Sequence, residues 1–472
     1  MDKKHIQFIA FTIVFALWGG IYSYAANAPL PGEAYVGDTF EIRNAEVKYE
    51  DVLDSYIFTI ETVKDAASVA PMPSGKVDGA PVLAYVFVTS LKPIDIGYSH
   101  VEGTVALAVT SHPDFDDTPL WDEDNNDLYD DDGIIYHSHW VVLEKNDRAK
   151  EGLAVVQASA TDILTPTSPM PMYLDSPGFT ILEKGKKLKV IVPANAVKRN
   201  KTFTTSALTA YLEVDASKAA PLLKVERIYS QFSPAFSVKN KDSMPANNWP
   251  ITSVNDENDS LNLTRASVDY LEEIDSLVFS MRVKGNAATR TVKKIGKVDG
   301  APVLGYVFPT TIAPEKVGFK NISDATIALA VTTHPDFDDT PLWDENGNND
   351  YQDDGMVYHT HWVALVKDEK SGAGLSVPSS FDKSNLPPTA PMPMYLDSPN
   401  FHSFAQGNLL RIIVPVNRVD GLKIFNFDGV TASMNVDTSG KGPVLRVNEV
   451  HKILSGDLSL PYSVVTKKLS DY

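Results

Sequence analysis

The sequence predicts an all-β protein built as a tandem duplication, each copy a β-sandwich-like or barrel-like domain. Three observations carry that expectation. Short apolar or alternating runs of strand length recur throughout, separated by turn residues, while amphipathic helical periodicity is scarce. The 31 prolines fit frequent turns better than long helices. The third is an internal repeat: GKVDGAPVL at 75–83 returns at 296–304, and HPDFDDTPLWDE at 112–123 returns unchanged 222 residues later at 334–345. A period of about 220 residues is too long for a solenoid unit and points to a duplicated domain.

The 472 residues exceed what one core usually encloses, which agrees with two units. Their expected bounds are 29–237 and 260–472, with independent cores, joined by a polar, turn-forming linker at 238–259. Before them, Lys3 and Lys4 precede an apolar run at 6–22, followed by Ala25, Ala26 and Ala28. That order makes 1–28 a secretory signal peptide, cleaved after Ala25 or Ala28, or else an uncleaved N-terminal anchor. The expected location is exported: periplasmic, cell-envelope or extracellular. Membrane contact is expected only through that segment.

Taken in order, TFEIRNAEVKYEDVLDSYIFTIETV at 39–63 reads as two strands around a polar turn, and 261–283 has the same layout. The Asp-Gly-Ala-Pro core of the GKVDGAPVL repeat reads as a turn feeding a strand near 85–88 or 306–308. TVALAVTS at 104–111 and TIALAVTT at 326–333 are strands that deliver the chain to His112 and His334. After an Asp-rich stretch comes a His-x-His strand in each copy. Turn-rich PMPMYLDSP segments follow at 169–177 and 391–399. Three further strands close each copy: KLKVIVPA, ALTAYLEV and LLKVERIY, answered by LLRIIVPV, VTASMNVD and PVLRVNEV.

Composition excludes some partners. With 61 acidic against 42 basic residues the chain carries a formal charge of −19 and no basic run that would track a phosphate backbone, so nucleic acid is not expected. The absence of cysteine leaves His, carboxylate, amide, carbonyl and Met as metal donors.

Six of the ten histidines fall at matching positions: His112, His137 and His139, then His334, His359 and His361. In a strand, residues i and i+2 share a face roughly 6–7 Å apart, so His137 and His139 can converge on one ion while Tyr136, Ser138 and Trp140 face away. Neutral imidazoles suit zinc or copper, and three of them leave a position for water or a carboxylate. Taken singly, such histidines are more often solvated or hydrogen-bonded strand residues. His-Ser-His-Trp at 137–140 resembles the zinc strand of the α-carbonic anhydrases. In that family the third histidine follows the pair, whereas here it precedes it, so the activity is not carried over.

The acidic stretches offer further oxygen donors: Asp114, Asp116, Asp122 and Asp124 in the first copy, Asp336, Asp338 and Asp344 in the second. Asp122, Asp124 and Asn126 fall at positions one, three and five of a calcium loop, but Asp127 stands where an EF-hand needs Gly and Gly133 where it needs Glu. A complete EF-hand is excluded; calcium remains a second candidate ion against a merely solvated acidic loop. Met170 and Met172, with Met392 and Met394, form Met-x-Met pairs that suit Cu(I), although gap-filling beneath a stiff turn explains them as well.

Three functions follow. The first, and better supported, is an exported two-domain metal-binding protein with one three-histidine site per domain and metal ions as its partners. The second is a metal-dependent hydrolase or lyase on the same histidines, with Asp114, Asp116 or Asp117 as base. The third is a calcium-stabilised surface or carbohydrate-binding module. Because no phosphate loop, nucleophile elbow or His-Glu-x-x-His helix appears, the reading leans away from an enzyme.

Overall fold

The computed structural model describes residues 32–72, 74, 76–98, 101–112, 136–156, 179–197, 202–218, 222–239 (backbone alone for 233–239), 259–295, 297–319, 324–334, 358–377, 401–440 and 444–472. The N-terminal segment, the Asp-rich stretches, the Met-x-Met pairs and residues 240–258 lie outside them. Val238 and Lys239, expected in the linker, continue a strand, and Asp259 opens a short 3-10 turn.

The chain is all-β, as expected. The first half contributes β1 (Ile42–Glu50), β2 (Ser55–Thr62), β3 (Pro81–Thr89), β4 (Thr104–Ser111), β5 (His137–Lys145), β6 (Leu153–Val155), β7 (Thr180–Lys184), β8 (Lys187–Pro193), β9 (Thr202–Asp215) and β10 (Leu222–Lys239). The second contributes β11 (Leu263–Leu271), β12 (Ser276–Val283), β13 (Pro302–Pro309), β14 (Thr326–Thr333), β15 (His359–Lys367), β16 (Leu375–Val377), β17 (Ser403–Gln406), β18 (Leu409–Pro415), β19 (Asn426–Phe427), β20 (Val430–Asp437), β21 (Val444–Ile453), β22 (Tyr462–Ser463) and β23 (Val465–Lys467). Among the described residues no helix is long and apolar enough to cross a membrane.

Each half pairs an open sheet with a closed six-stranded barrel. In the first half the sheet runs β1-β2-β8-β7 and the barrel β10-β6-β5-β4-β3-β9. In the second the sheet is β17-β18-β12-β11-β23 and the barrel β13-β14-β15-β16-β21-β20, with a two-stranded β19-β22 piece beside them. None of these hydrogen-bonded sheets mixes strands of the two halves.

The near-continuous apolar strands at the centre follow from this architecture, because both of their faces are covered. On β3, Val82, Ala84 and Val86 point into the barrel, where they meet Ala106, Ala108, Val141 and Leu212. Leu83, Tyr85 and Phe87 point outward and pack on Phe58, Ile60 and Val190 of the open sheet. β13, β14 and β15 divide their residues in the same way between a barrel interior and an outer core. Each fully buried Leu, Val or Phe contributes about 1.5–3 kcal/mol by leaving water. Closure needs strong twist, and register shifts between β20 and β21 at Thr431/Ala432 and Ser433/Met434 supply some of it.

The turns behave as their residues dictate. Gly79 and Gly300 take φ of +80° and +76° in the predicted Asp-Gly turns, a conformation that glycine adopts without a Cβ penalty. Asp54 and Asp275 close the first hairpin of each half at φ 44° and 41° and accept the Tyr49 and Tyr270 hydroxyls at 2.8 and 2.7 Å.

The main cores each stay within one half, and the halves in addition share a small core. Leu53 and Ile191 of the first half pack with Leu271, Ile274, Val278 and Ile413 of the second. Two equivalent hydrogen bonds cross the contact in opposite senses: Lys189 Nζ donates to the Glu273 carbonyl at 2.8 Å, and Arg411 Nη1 donates to the Val52 carbonyl at 3.2 Å. Lys189 and Arg411 occupy matching positions in the repeat, as do Val52 and Glu273, so the contact is self-complementary in the manner of a two-fold dimer interface. Proteolysis between 240 and 258 is therefore expected to leave two fragments that co-elute on size exclusion under native conditions. Separate elution would show that the shared core does not hold them.

Candidate metal centre

The register of two adjacent strands builds each site. β4 and β5 pair antiparallel, with Ala106 opposite Val141, Ala108 opposite His139 and Thr110 opposite His137. Every second residue on these strands faces the barrel interior, and His112 continues that series one step past the end of β4. The three imidazoles thus gather at one end of the barrel. The second half repeats this with Ala330 opposite His361, Thr332 opposite His359, and His334 one step past β14.

In both triads, one ligand-capable atom from each histidine lies within 4.8 Å of the others. His112 Nε2 and His137 Nε2 approach to 3.0 Å, and His334 Nε2 and His359 Nε2 to 2.9 Å. Ring centroids of His137 and His139 are 4.6 Å apart, as are those of His359 and His361. Zinc bonds of about 2.0–2.1 Å in a tetrahedron place ligand nitrogens about 3.4 Å apart, so the observed spacing suits a shared ion. All six side chains are buried, His139 and His361 at 1% exposure. The donors are imidazoles amid aliphatic walls, a set that fits a borderline transition ion. The structure therefore brings together two groups that could each hold a metal ion.

The outward face of the His-x-His strand is tied down, which orients the inward face. Trp140 and Trp362 are buried at 1% exposure and meet Phe179 and Phe401 edge-on, with ring centroids 6.3 Å apart in each pair. The Ser138 hydroxyl accepts the Phe179 amide at 3.0 Å, and the Thr360 hydroxyl accepts the Phe401 amide at 2.8 Å. Tyr98 donates to the Trp140 carbonyl at 3.1 Å. Just before the first histidine of each strand, Tyr136 donates to the Val69 carbonyl at 2.7 Å and Tyr358 to the Arg290 carbonyl. Burial pushes both phenols far above their ordinary value, so they stay neutral and serve as anchors, not as anionic ligands.

Asp114, Asp116, Asp122 and Asp124 belong to the connection between β4 and β5, and Asp336, Asp338 and Asp344 to that between β14 and β15. These seven lie outside the described residues. Both ends of each connection nevertheless sit at a triad.

Two features were not legible as chemistry in the sequence. Thr110 and Thr332 face the barrel interior beside the triads at 5% and 4% exposure, and neither Oγ1 finds a hydrogen-bond partner among the described residues. A threonine in a strand reads only as a good strand former. Elsewhere, Ser433 Oγ lies 2.6 Å from His451 Nε2, and Glu449 Oε1 lies 3.5 Å from His451 Nδ1. The Glu449 side chain is 69% exposed, so water screens it and it does little to orient the imidazole. Comparison with known proteins finds no matching family model, curated protein or solved structure.

Proposed function

We propose that the protein is an exported metal-binding protein that holds one transition ion, zinc or copper, in each barrel. His112, His137 and His139 hold the first ion, and His334, His359 and His361 the second. One observation carries this reading: three buried imidazoles, one of them 25 residues from its nearest partner in the chain, meet at a barrel end in both halves. Lone structural histidines have no reason to cluster in threes.

Capture or storage of the ion fits better than hydrolysis, because the donors sit inside a closed, apolar barrel. The Asp-rich connections rooted at each triad then serve as carboxylate-rich approaches to the ion, with calcium as their own candidate ligand. The Lys-led apolar run at the N-terminus supports export.

Metal analysis of tag-free protein, stripped with chelator and reloaded, tests the reading. About two equivalents of zinc or copper are expected per chain, one for each triad. Calcium alone would move the function to the acidic loops, and no bound metal would end the proposal.

A further inference from the structure

The second barrel holds a cavity of about 190 Å³ that reaches the second triad. Its walls are aliphatic, among them Val303, Val363, Ala432 and Met434. Its polar lining includes Thr332, His334 and His361. Gly305 helps to keep it open: a Cβ there would lie 3.1 Å from Met434 Cε and 3.3 Å from Thr332 Cγ2, whereas the first half carries Ala84 at the matching position. An apolar cavity of roughly 150 Å³ is enough to take a benzene-sized molecule.

We propose that this chamber binds a small monocarboxylate with an apolar tail, its carboxylate at the His334 and His361 end and its tail among the aliphatic walls. The inference rests on the metal reading of that triad. Three neutral imidazoles do not offset the charge of a divalent ion, and in a low-dielectric interior an anionic group is the favoured further ligand. Thr332 supplies the second, independent indication. Thr332 lines the cavity, and its Oγ1 is buried and has no hydrogen-bond partner among the described residues, an arrangement that costs stability unless a ligand satisfies it. A carboxylate answers both needs, one oxygen on the ion and the other accepting from the Thr332 hydroxyl. A purely apolar guest answers neither, and a larger polar one would leave its own groups unpaired against Val and Met.

The test is titration calorimetry on the zinc-loaded full chain with hexanoate, acetate and hexanol as probes, alongside metal analysis of every sample. Each methylene that leaves water is worth about a fourfold gain. Hexanoate is expected to bind with one equivalent, at least tenfold more tightly than acetate and at least tenfold more tightly than hexanol. Ala432→Leu fills the chamber from β20, away from the histidine strands, and is expected to weaken hexanoate at least tenfold while both metal equivalents remain. Thr332→Val keeps the shape, removes the hydroxyl and is expected to weaken hexanoate about fivefold or more. On metal-loaded protein, hexanoate no tighter than acetate or hexanol, or unaffected by Ala432→Leu, overturns the chamber and leaves the metal reading standing. Protein that takes up no metal overturns both.

Discussion

Replacing His137 and His139 together with alanine is expected to halve the metal content of the chain, from about two equivalents to about one, while the second triad stays filled. The two residues supply two of three clustered imidazoles, and the remaining His112 cannot hold an ion against water by itself. Structural zinc sites bind with about 10–16 kcal/mol spread over their ligands, so losing two donors removes on the order of 5 kcal/mol, three to four orders of magnitude in affinity. The substitution also hollows the end of a buried site, so the circular dichroism of the apo variant should be recorded beside its metal content. A well-folded variant that still binds two equivalents would show that the triad is not the site. The reciprocal change, His359 and His361 to alanine, should spare the first triad in the same way, since each set of histidines lies in its own barrel.

The second large effect is on stability. Trp140→Ala is expected to destabilise the apo first half by about 3–5 kcal/mol, because the indole is buried at 1% exposure in the core between barrel and open sheet and leaves a cavity when removed. The same substitution loosens the outward face of the strand whose inward face presents His137 and His139. Metal affinity should therefore fall along with stability, although no ligand has been touched. Excess metal should restore part of the loss by mass action, up to about 4 kcal/mol when the free ion is 1,000-fold above its dissociation constant. Denaturant unfolding with and without zinc measures both quantities. A variant as stable as the parent, or one that zinc does not shift, would contradict the account of how the strand is held.

Particular elements show how far the sequence could be read. TVALAVTS and TIALAVTT were expected as strands and are strands over those same residues, because a short apolar run bounded by turn signals leaves the backbone few alternatives. The first two strands of each half were legible for the same reason. β6, β7, β16, β17, β19, β22 and β23 went unseen: at two to five residues they hold too little pattern to register. The choice between sandwich and barrel was not open to a sequence reading either, since β3 to β5 are apolar on both faces and periodicity does not say which face lies inside. The contact between the halves was missed because Leu53 and Ile274 sit at hairpin turns, where one apolar residue carries no periodic signal.

Local patterning determined that the chain is β, that its motifs repeat, and that six histidines recur in matched places; these are properties of residue type and spacing within short windows. Whether His112 would meet His137 and His139 was a matter of hydrogen-bond register, since a shift of one residue between β4 and β5 would turn the facing pair to the opposite side. The cavity beside the second triad depends on how Gly305, Thr332, Ala432 and Met434, far apart in the chain, fill or fail to fill a closed barrel. Only tertiary structure decided those two things, because side-chain volumes and strand pairings between segments distant in the chain have no signature in any single stretch of sequence.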